Sequence, residues 1–294
     1  MSQQIWIDGQ FVNKENATVS VYDHGLLYGD GIFEGIRIYN HRIFKLRTHL
    51  KRLYKSAQAL RLTIPYTLEQ IETYTRQTVE KNGLTDGYIR LLVTRGVGDL
   101  SLNPFSCPKA SVIIIAAKVA LYPPQAYTTG LEVITSSVIR NHPAALSPKV
   151  KSLNYLNNIL AKMDAIDAGV GEAIMLNHQG NVAEATGDNI FAITHTPQGL
   201  SIITPPAHAG TLEGVTMHVV MDLAKKAGIN IVRQNLTRHD LHTCDEMFLT
   251  GTAAEVIAAV KVDGRIIGDG KPGKITRQLN DLFRELVAQN APED

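Results

Sequence analysis

Apolar residues in this chain recur at every second position in some stretches and at every third or fourth in others, alternating repeatedly. That alternation confines the chain to mixed α and β structure. Ile36-Arg37-Ile38-Tyr39 and Arg42-Ile43-Phe44-Lys45-Leu46 flank Asn40-His41 and read as a hairpin with a two-residue turn. Leu46, Leu50, Leu53, Ala57 and Leu60 then fall at helical spacing, so residues 47–61 predict a helix with one apolar face packed on a sheet. Thr67 and Gln70 form a capping box for a second helix that Gly83 closes. Tyr88 to Thr94 and Ser111 to Lys118 are apolar, β-branched strands.

Two consecutive prolines in residues 121–130 favour extended backbone, and the domain boundary is placed there. The expected organisation is a small N-terminal α/β domain over 1–120, a linker over 121–130 and a larger domain over 131–294. In the latter, the pattern predicts strands near 131–136, 172–177, 189–194, 246–250 and 256–262. It also predicts helices over 154–168, 214–227 and 276–289, and a hairpin turn at Asp263-Gly264.

With 294 residues, 44% of them hydrophobic, the chain is long enough for two domains. Its 29 basic and 28 acidic side chains leave a net charge of +1, which provides no field for nucleic acid or an anionic membrane and favours small-molecule partners. The start, Met1 to Trp6, has neither a basic nor an apolar leader pattern, and no stretch approaches membrane-span length, so a cytoplasmic protein is expected. Cys107 and Cys244 read as reduced thiols.

Lys151, opening Lys151-Ser152-Leu153-Asn154-Tyr155, and Glu184, within Asn181 to Asn189, suggest a buried amine and a buried carboxylate serving one aromatic cofactor, pyridoxal 5'-phosphate. An amine holds the aldehyde as a Schiff base, and a carboxylate beside the ring nitrogen keeps it protonated. Gly29-Asp30-Gly31 and Gly96-Val97-Gly98 lack the strand-to-helix context of a dinucleotide fingerprint. Gly214-Val215-Thr216 begins a helix, and Thr250 to Glu255 follows a strand, so each could hold a phosphate on backbone amides or could simply be a capped helix or a loop. His239 to Asp245 gathers two imidazoles, a thiol and two carboxylates that could be read as a zinc site, but no second ligand cluster accompanies it and no metal is expected.

Six runs occur in order with short gaps: Tyr28 to Arg37, His49 to Leu53, Tyr88-Ile89-Arg90, Lys151 to Tyr155, Glu184 to Phe191 and Gly251 to Glu255. From about Trp6 to Phe283 the chain resembles the class IV aminotransferases, most closely their branched-chain members. The resemblance implies the two-domain fold type IV, shared with D-amino acid aminotransferase, with the cofactor at the domain interface and a homodimer or higher assembly whose sites borrow residues from the neighbouring subunit.

It implies further that Lys151 is the Schiff-base lysine and general base, with Lys149 solvated. Arg52 would bind the phosphate, together with Val215, Thr216 and Thr252; Tyr155 would bond the phenolic oxygen and Glu184 the pyridine nitrogen. The Thr252-Ala253 amides would face the substrate carboxylate. Phe33, Gly35, Arg37, Tyr39, Tyr88, Arg90 and Tyr122 match the substrate pocket or its neighbourhood, joined by Tyr28 and Leu102 of a partner subunit. Arg37, Arg90 or Arg95 would balance the side-chain charge of 2-oxoglutarate. The implied reaction is ping-pong transamination between Leu, Ile or Val and 2-oxoglutarate, serving biosynthesis. The alternatives are a D-amino acid aminotransferase, an aminodeoxychorismate lyase-like enzyme and a catalytically silent binding protein on the same fold. Met217 and Ala258 depart from the family pattern, and His24 is expected to be structural.

Overall fold

A computed structural model describes residues 2–119, 122–196 and 199–289. It separates into two compact units: residues 2–119 with Val150–Asn154, and residues 122–149 with 155–289. Among the described residues no helix is long and apolar enough to cross a membrane.

The first unit contains strands β1 (Gln4–Ile7), β2 (Gln10–Asn13), β3 (Gly31–Tyr39), β4 (Arg42–Ile43), β5 (Gly87–Thr94) and β6 (Ser111–Ala117), with helices α1 (His24–Tyr28), α2 (Leu46–Ala59) and α3 (Leu68–Lys81). The strands form one antiparallel sheet in the order β2-β1-β6-β5-β3-β4. The β3–β4 turn is the expected hairpin, with Asn40 and His41 both at positive φ, 48° and 65°, the geometry that matches strand twist. Ile32, Ile36 and Ile38 of β3 are fully buried in one core with Leu46, Leu50 and Leu53 of α2. Each such side chain contributes roughly 1.5–3 kcal/mol. The capping box at Thr67 and Gln70 is formed, and α3 ends just before Gly83, which takes φ +60°.

The second unit holds β7 (Leu131–Thr135), β8 (Glu172–Leu176), β9 (Val182–Ala185), β10 (Asn189–Thr196), β11 (Gly199–Thr204), β12 (Ile231–Arg233), β13 (Glu246–Gly251), β14 (Glu255–Val262) and β15 (Arg265–Ile266). Its helices are α4 (Ala126–Thr129), α5 (Leu156–Asp167), α6 (Val215–Lys226), α7 (Arg238–Thr243) and α8 (Lys274–Ala288). The sheet runs β12-β11-β10-β13-β14-β7-β8-β9, with β15 on β14. Its order places β9 at one edge and brings the ends of β10, β13 and β14 together in the middle.

Three findings differ from the sequence expectation. Residues 120 and 121, where the boundary was expected, lie outside the described residues; beyond them the proline segment is not simply extended, because Ala126–Thr129 is helical and Tyr122 and Ala126 join the second unit's core. Lys151, expected with the second domain, is held by the first unit. Phe33 N–H donates to Lys151 O, Leu153 N–H donates to Gly31 O, and Ser152 bridges Ile32. The sequence pattern does not predict strands β1, β2, β9, β11 and β12, most of them only three or four residues long, too short to establish a period of two.

Candidate functional site

On β3 and β5 the register sets side chains opposite one another: Gly35 pairs Arg90, and Arg37 pairs Tyr88. Paired residues point to the same face, so Phe33, Gly35, Arg37, Tyr88 and Arg90 form one wall, opposite the face that Ile32 and Ile36 pack on α2. The Arg90 guanidinium lies 4.6 Å from the Phe33 ring centre, and Lys151 Nζ is also 4.6 Å from it. Two cations thus share one aromatic ring. Gly35 is required by space: a Cβ there would overlap Tyr88 Oη. Arg37 packs over Tyr39 at 4.9 Å.

Beneath this wall an acid occupies a β3 position that faces α2. Glu34 is fully buried, and Arg52 grips it side-on, Nε to Oε1 and Nη2 to Oε2, both at 2.7 Å. His49 Nδ1 lies 2.7 Å from Oε2. Burial pushes the Glu34 carboxyl up, but the charges and hydrogen bonds of Arg52 and His49 outweigh it and hold the group at about 2. Burial also lowers His49, against the raising influence of Glu34. A buried carboxylate therefore orients Arg52. One turn further along α2, Lys151 N–H donates to Ser56 Oγ at 3.3 Å and anchors the lysine segment.

Tyr28 ends α1 and donates to Leu100 O at 2.6 Å, while Leu102 is 81% exposed. Arg95 is not available as a countercharge. It forks onto Asp30 at 2.8 and 3.0 Å and donates to the carbonyls of Leu60 and Arg61, tying the Gly29-Asp30-Gly31 turn to the end of α2. His24 is buried, its Nε2 2.8 Å from Asp99 O.

In the second unit Glu184 lies on β9, 5% exposed. Arg140 Nε and Nη2 each reach Oε1 at 2.9 Å, and Leu212 N–H donates to Oε2 at 2.8 Å. Arg140 is itself braced by Asn157 and Asn158 Oδ1, each 3.1 Å away. Glu184 is thus a buried carboxylate with its charge matched. Removing one partner of such a pair typically costs about 3–5 kcal/mol.

Helix α6 opens at Gly214 with no side-chain cap, so the first-turn amides of Val215 and Thr216 carry the positive end of the helix dipole. Gly214 and Asn189 are in close contact, since a Cβ at 214 would overlap Asn189 Oδ1; Asn189 Nδ2 donates to Leu212 O. The loop leading into α6 is thereby tied to the strand that follows Glu184. Thr252 and Ala253 occupy the tight turn between β13 and β14, bounded by the Gly251–Glu255 pair. Tyr155 caps α5, half-buried, and Lys149 is exposed.

Tyr122 is 8% exposed, and its hydroxyl is 3.3 Å from both Glu172 Oε2 and Asp188 Oδ2. Its phenol is therefore committed to a carboxyl pair. The His239 to Asp245 run is occupied by ordinary partners: Asp240 accepts from Thr237, His242 Nε2 lies 2.8 Å from Asp263 Oδ2, and Cys244 donates to Leu241 O.

Sequence reasoning missed Glu34 as the orienter of Arg52, Arg140 as the partner of Glu184, and the Glu172–Asp188 pair. Glu34 carried a signal, an acid at an inward position among Ile32, Ile36 and Ile38. Arg140 carried none, because 44 residues separate it from Glu184.

Residues 31–262 match the model of the family described as amino-transferase class IV. A putative branched-chain-amino-acid aminotransferase of Methanocaldococcus jannaschii is 47% identical, over 96% of this chain and 96% of that protein. The Escherichia coli branched-chain amino acid aminotransferase structure superposes with a TM-score of 0.94 at 33% identity, covering 98% of this chain and 95% of that one. The branched-chain amino acid aminotransferase of Thermobaculum terrenum, in its PLP-bound holo-form, gives 0.86 at 31% identity, covering 97% and 94%.

Proposed function

This chain belongs to the class IV aminotransferase family, and from that membership we propose that it exchanges the amino group of Leu, Ile or Val with 2-oxoglutarate, using pyridoxal 5'-phosphate. The observation that carries this reading is the Phe33–Tyr88–Arg90 wall with Lys151 Nζ against it, since an aromatic surface beside a reactive amine suits an aliphatic amino acid. The residues fit the cofactor chemically: an amine for its aldehyde, a buried carboxylate for its ring nitrogen, and helix-start amides with an arginine for its phosphate.

When bound, the cofactor supplies an electron sink and carries the amino group between the two substrates. Lys151 would hold it through Nζ and, once displaced by the substrate amine, remove the proton from the substrate α-carbon as general base. Glu184, charge-matched by Arg140 and bonded by the Leu212 amide, would hold the proton on the ring nitrogen. Arg52, Val215, Thr216 and Thr252 would bind the phosphate, and Tyr155 the phenolic oxygen. The Thr252 and Ala253 amides would receive the α-carboxylate, Gly35 would leave room beside Tyr88, and Arg37 and Arg90 would face the second carboxylate of 2-oxoglutarate.

Catalysis is proposed in a cytoplasmic homodimer, with Tyr28 and Leu102 contributed across the interface. Its support is apolar exposure. Helix α5 presents Leu156, Ile159, Met163 and Ile166 at 49–66% exposure, and Leu100, Leu102 and Phe105 are 63–81% exposed, surfaces of the kind that subunits cover.

The test is the near-ultraviolet and visible spectrum of the holoenzyme during addition of L-leucine and then 2-oxoglutarate, with D-alanine in parallel. L-leucine is expected to bleach the lysine-bound band and 2-oxoglutarate to restore it. Conversion by D-alanine alone would overturn the branched-chain assignment, and no cofactor band at all would overturn the enzyme.

A further inference from the structure

The buried carboxyl pair of the second unit, and the phenol against it, take no part in the reaction outlined above. Tyr122 Oη lies 3.3 Å from Glu172 Oε2 and 3.3 Å from Asp188 Oδ2. A phenol has one proton to donate, and two ionised carboxylates have none. If each contact is a separate two-centre hydrogen bond, one carboxyl must bring a proton.

Glu172 is the member already supplied with donors. Its Oε1 accepts from Ala173 N–H at 2.7 Å and from the Thr186 hydroxyl at 2.5 Å, and Lys162 Nζ stands 3.5 Å from Oε2. Asp188 faces negative charge from Glu172 on β8 and Glu184 on β9, with Lys162 of α5 the cation acting on it. Burial, then Glu172, pushes its carboxyl up to about 7, against the lowering influence of the Tyr122 hydrogen bond and the Lys162 charge. Burial, then the charges of Asp188 and Glu172, raises the Tyr122 phenol, so it remains a donor. With the proton on Asp188 the groups would be satisfied in one direction: Asp188 Oδ2–H would donate to Tyr122 Oη, and Tyr122 O–H to Glu172 Oε2.

The other oxygen of Asp188 lies under Gly251, where a Cβ would overlap it. Gly251 is the residue before Thr252 and Ala253. An ionised Asp188 would therefore place a second negative charge beneath a turn that receives an anion, whereas a protonated one supports the backbone without opposing the ligand.

We infer that Asp188 is a positioning residue, held neutral by the Tyr122–Glu172 relay, and that its proton keeps the Thr252–Ala253 turn receptive to a carboxylate. The inference rests on the reading of that turn as the substrate-carboxylate site.

The experiment compares wild-type holoenzyme with Asp188→Asn and Glu172→Gln in two measurements. The first is infrared absorption of the protonated-carboxyl carbonyl stretch as a function of pH. The second is the dissociation constant of 4-methylvalerate, an unreactive branched carboxylate, between about pH 6 and 8.5, a range that brackets a carboxyl raised to near neutrality. A protonated-carboxyl band at the acid end that vanishes at the alkaline end and is missing in Asp188→Asn is expected. Binding to the wild type should weaken about fivefold over the same range, and Asp188→Asn should change less than about twofold. Glu172→Gln should move the weakening to lower pH, because the charge that holds the proton on Asp188 is gone.

Identical infrared bands in wild type and Asp188→Asn would overturn the proton assignment, and superimposable binding profiles would overturn the positioning role. If the wild type binds no 4-methylvalerate at any pH, the substrate-site reading and the anion role fall together, and the infrared result still decides where the proton resides.

Discussion

Glu34 and Asp188 are both carboxyls with almost no access to water, yet one is held at about 2 and the other is pushed up to about 7. Burial raises both. The difference lies in what each meets: Glu34 meets an arginine fork and an imidazole, while Asp188 meets a second carboxylate through a phenol. Burial alone therefore does not set the charge of an interior acid in this protein; the first neighbour does. The consequence is a division of labour. In the first unit a fixed negative charge orients Arg52, and in the second a titratable one lies below the Thr252 turn.

Removing the cation from Glu34 should have the largest effect. Arg52→Met should leave an uncompensated buried carboxylate and destabilise the protein by about 3–5 kcal/mol in denaturant unfolding near neutral pH, a larger loss than an exposed salt bridge gives. A shift below about 1 kcal/mol would mean that His49 alone suffices, and the contrast with Asp188 would need another cause.

Acid unfolding reads the same charge. Because the folded value of Glu34 is depressed from 4.5 to about 2, its stabilisation is fully present above 4.5 and disappears as pH falls toward 2. The whole contribution amounts to about 3 kcal/mol. Glu34→Gln should flatten the unfolding free energy across that window, and an unchanged slope would assign acid lability elsewhere. Gly251→Ala comes next in size. The added methyl must displace Asp188 Oδ1, an overpacking expected to cost about 1–3 kcal/mol and to weaken 4-methylvalerate binding along with stability. Loss of stability with unaltered binding would separate Asp188 from the Thr252 turn.

Much of the fold is legible in the sequence. The hairpin at Asn40-His41, the amphipathic α2 and the capping box at Thr67 are local, so their residues carry the signal within a few positions. Lys151 and Glu184 stand out in the sequence as an amine and a carboxylate that one cofactor would use, and their roles are part of the proposal. Their supports do not stand out. Arg140 reaches Glu184, and Tyr122 reaches Asp188, across 44 and 66 residues of chain, and such contacts leave no periodic trace. Arg95 shows the converse error: next to a strand end and positively charged, it resembled a substrate countercharge. Two of its neighbours in space are backbone carbonyls, which composition cannot reveal.

Asp188 offers a test of opposite sign that needs no ligand. A carboxyl whose folded value is raised from 3.8 to about 7 binds a proton in the native state that the unfolded chain has released. Its contribution to stability is present in full below 3.8 and is lost as pH rises through about 7, opposite in sign to that of Glu34. Asp188→Asn removes that slope, so its unfolding midpoint should fall below or match the wild type in mild acid and overtake it above neutral pH. The crossing is the informative feature, because a substitution that merely loosened packing would lower the midpoint by the same amount at every pH. Parallel curves would mean that Asp188 ionises like Glu34, and the two buried acids would then differ in partners but not in charge.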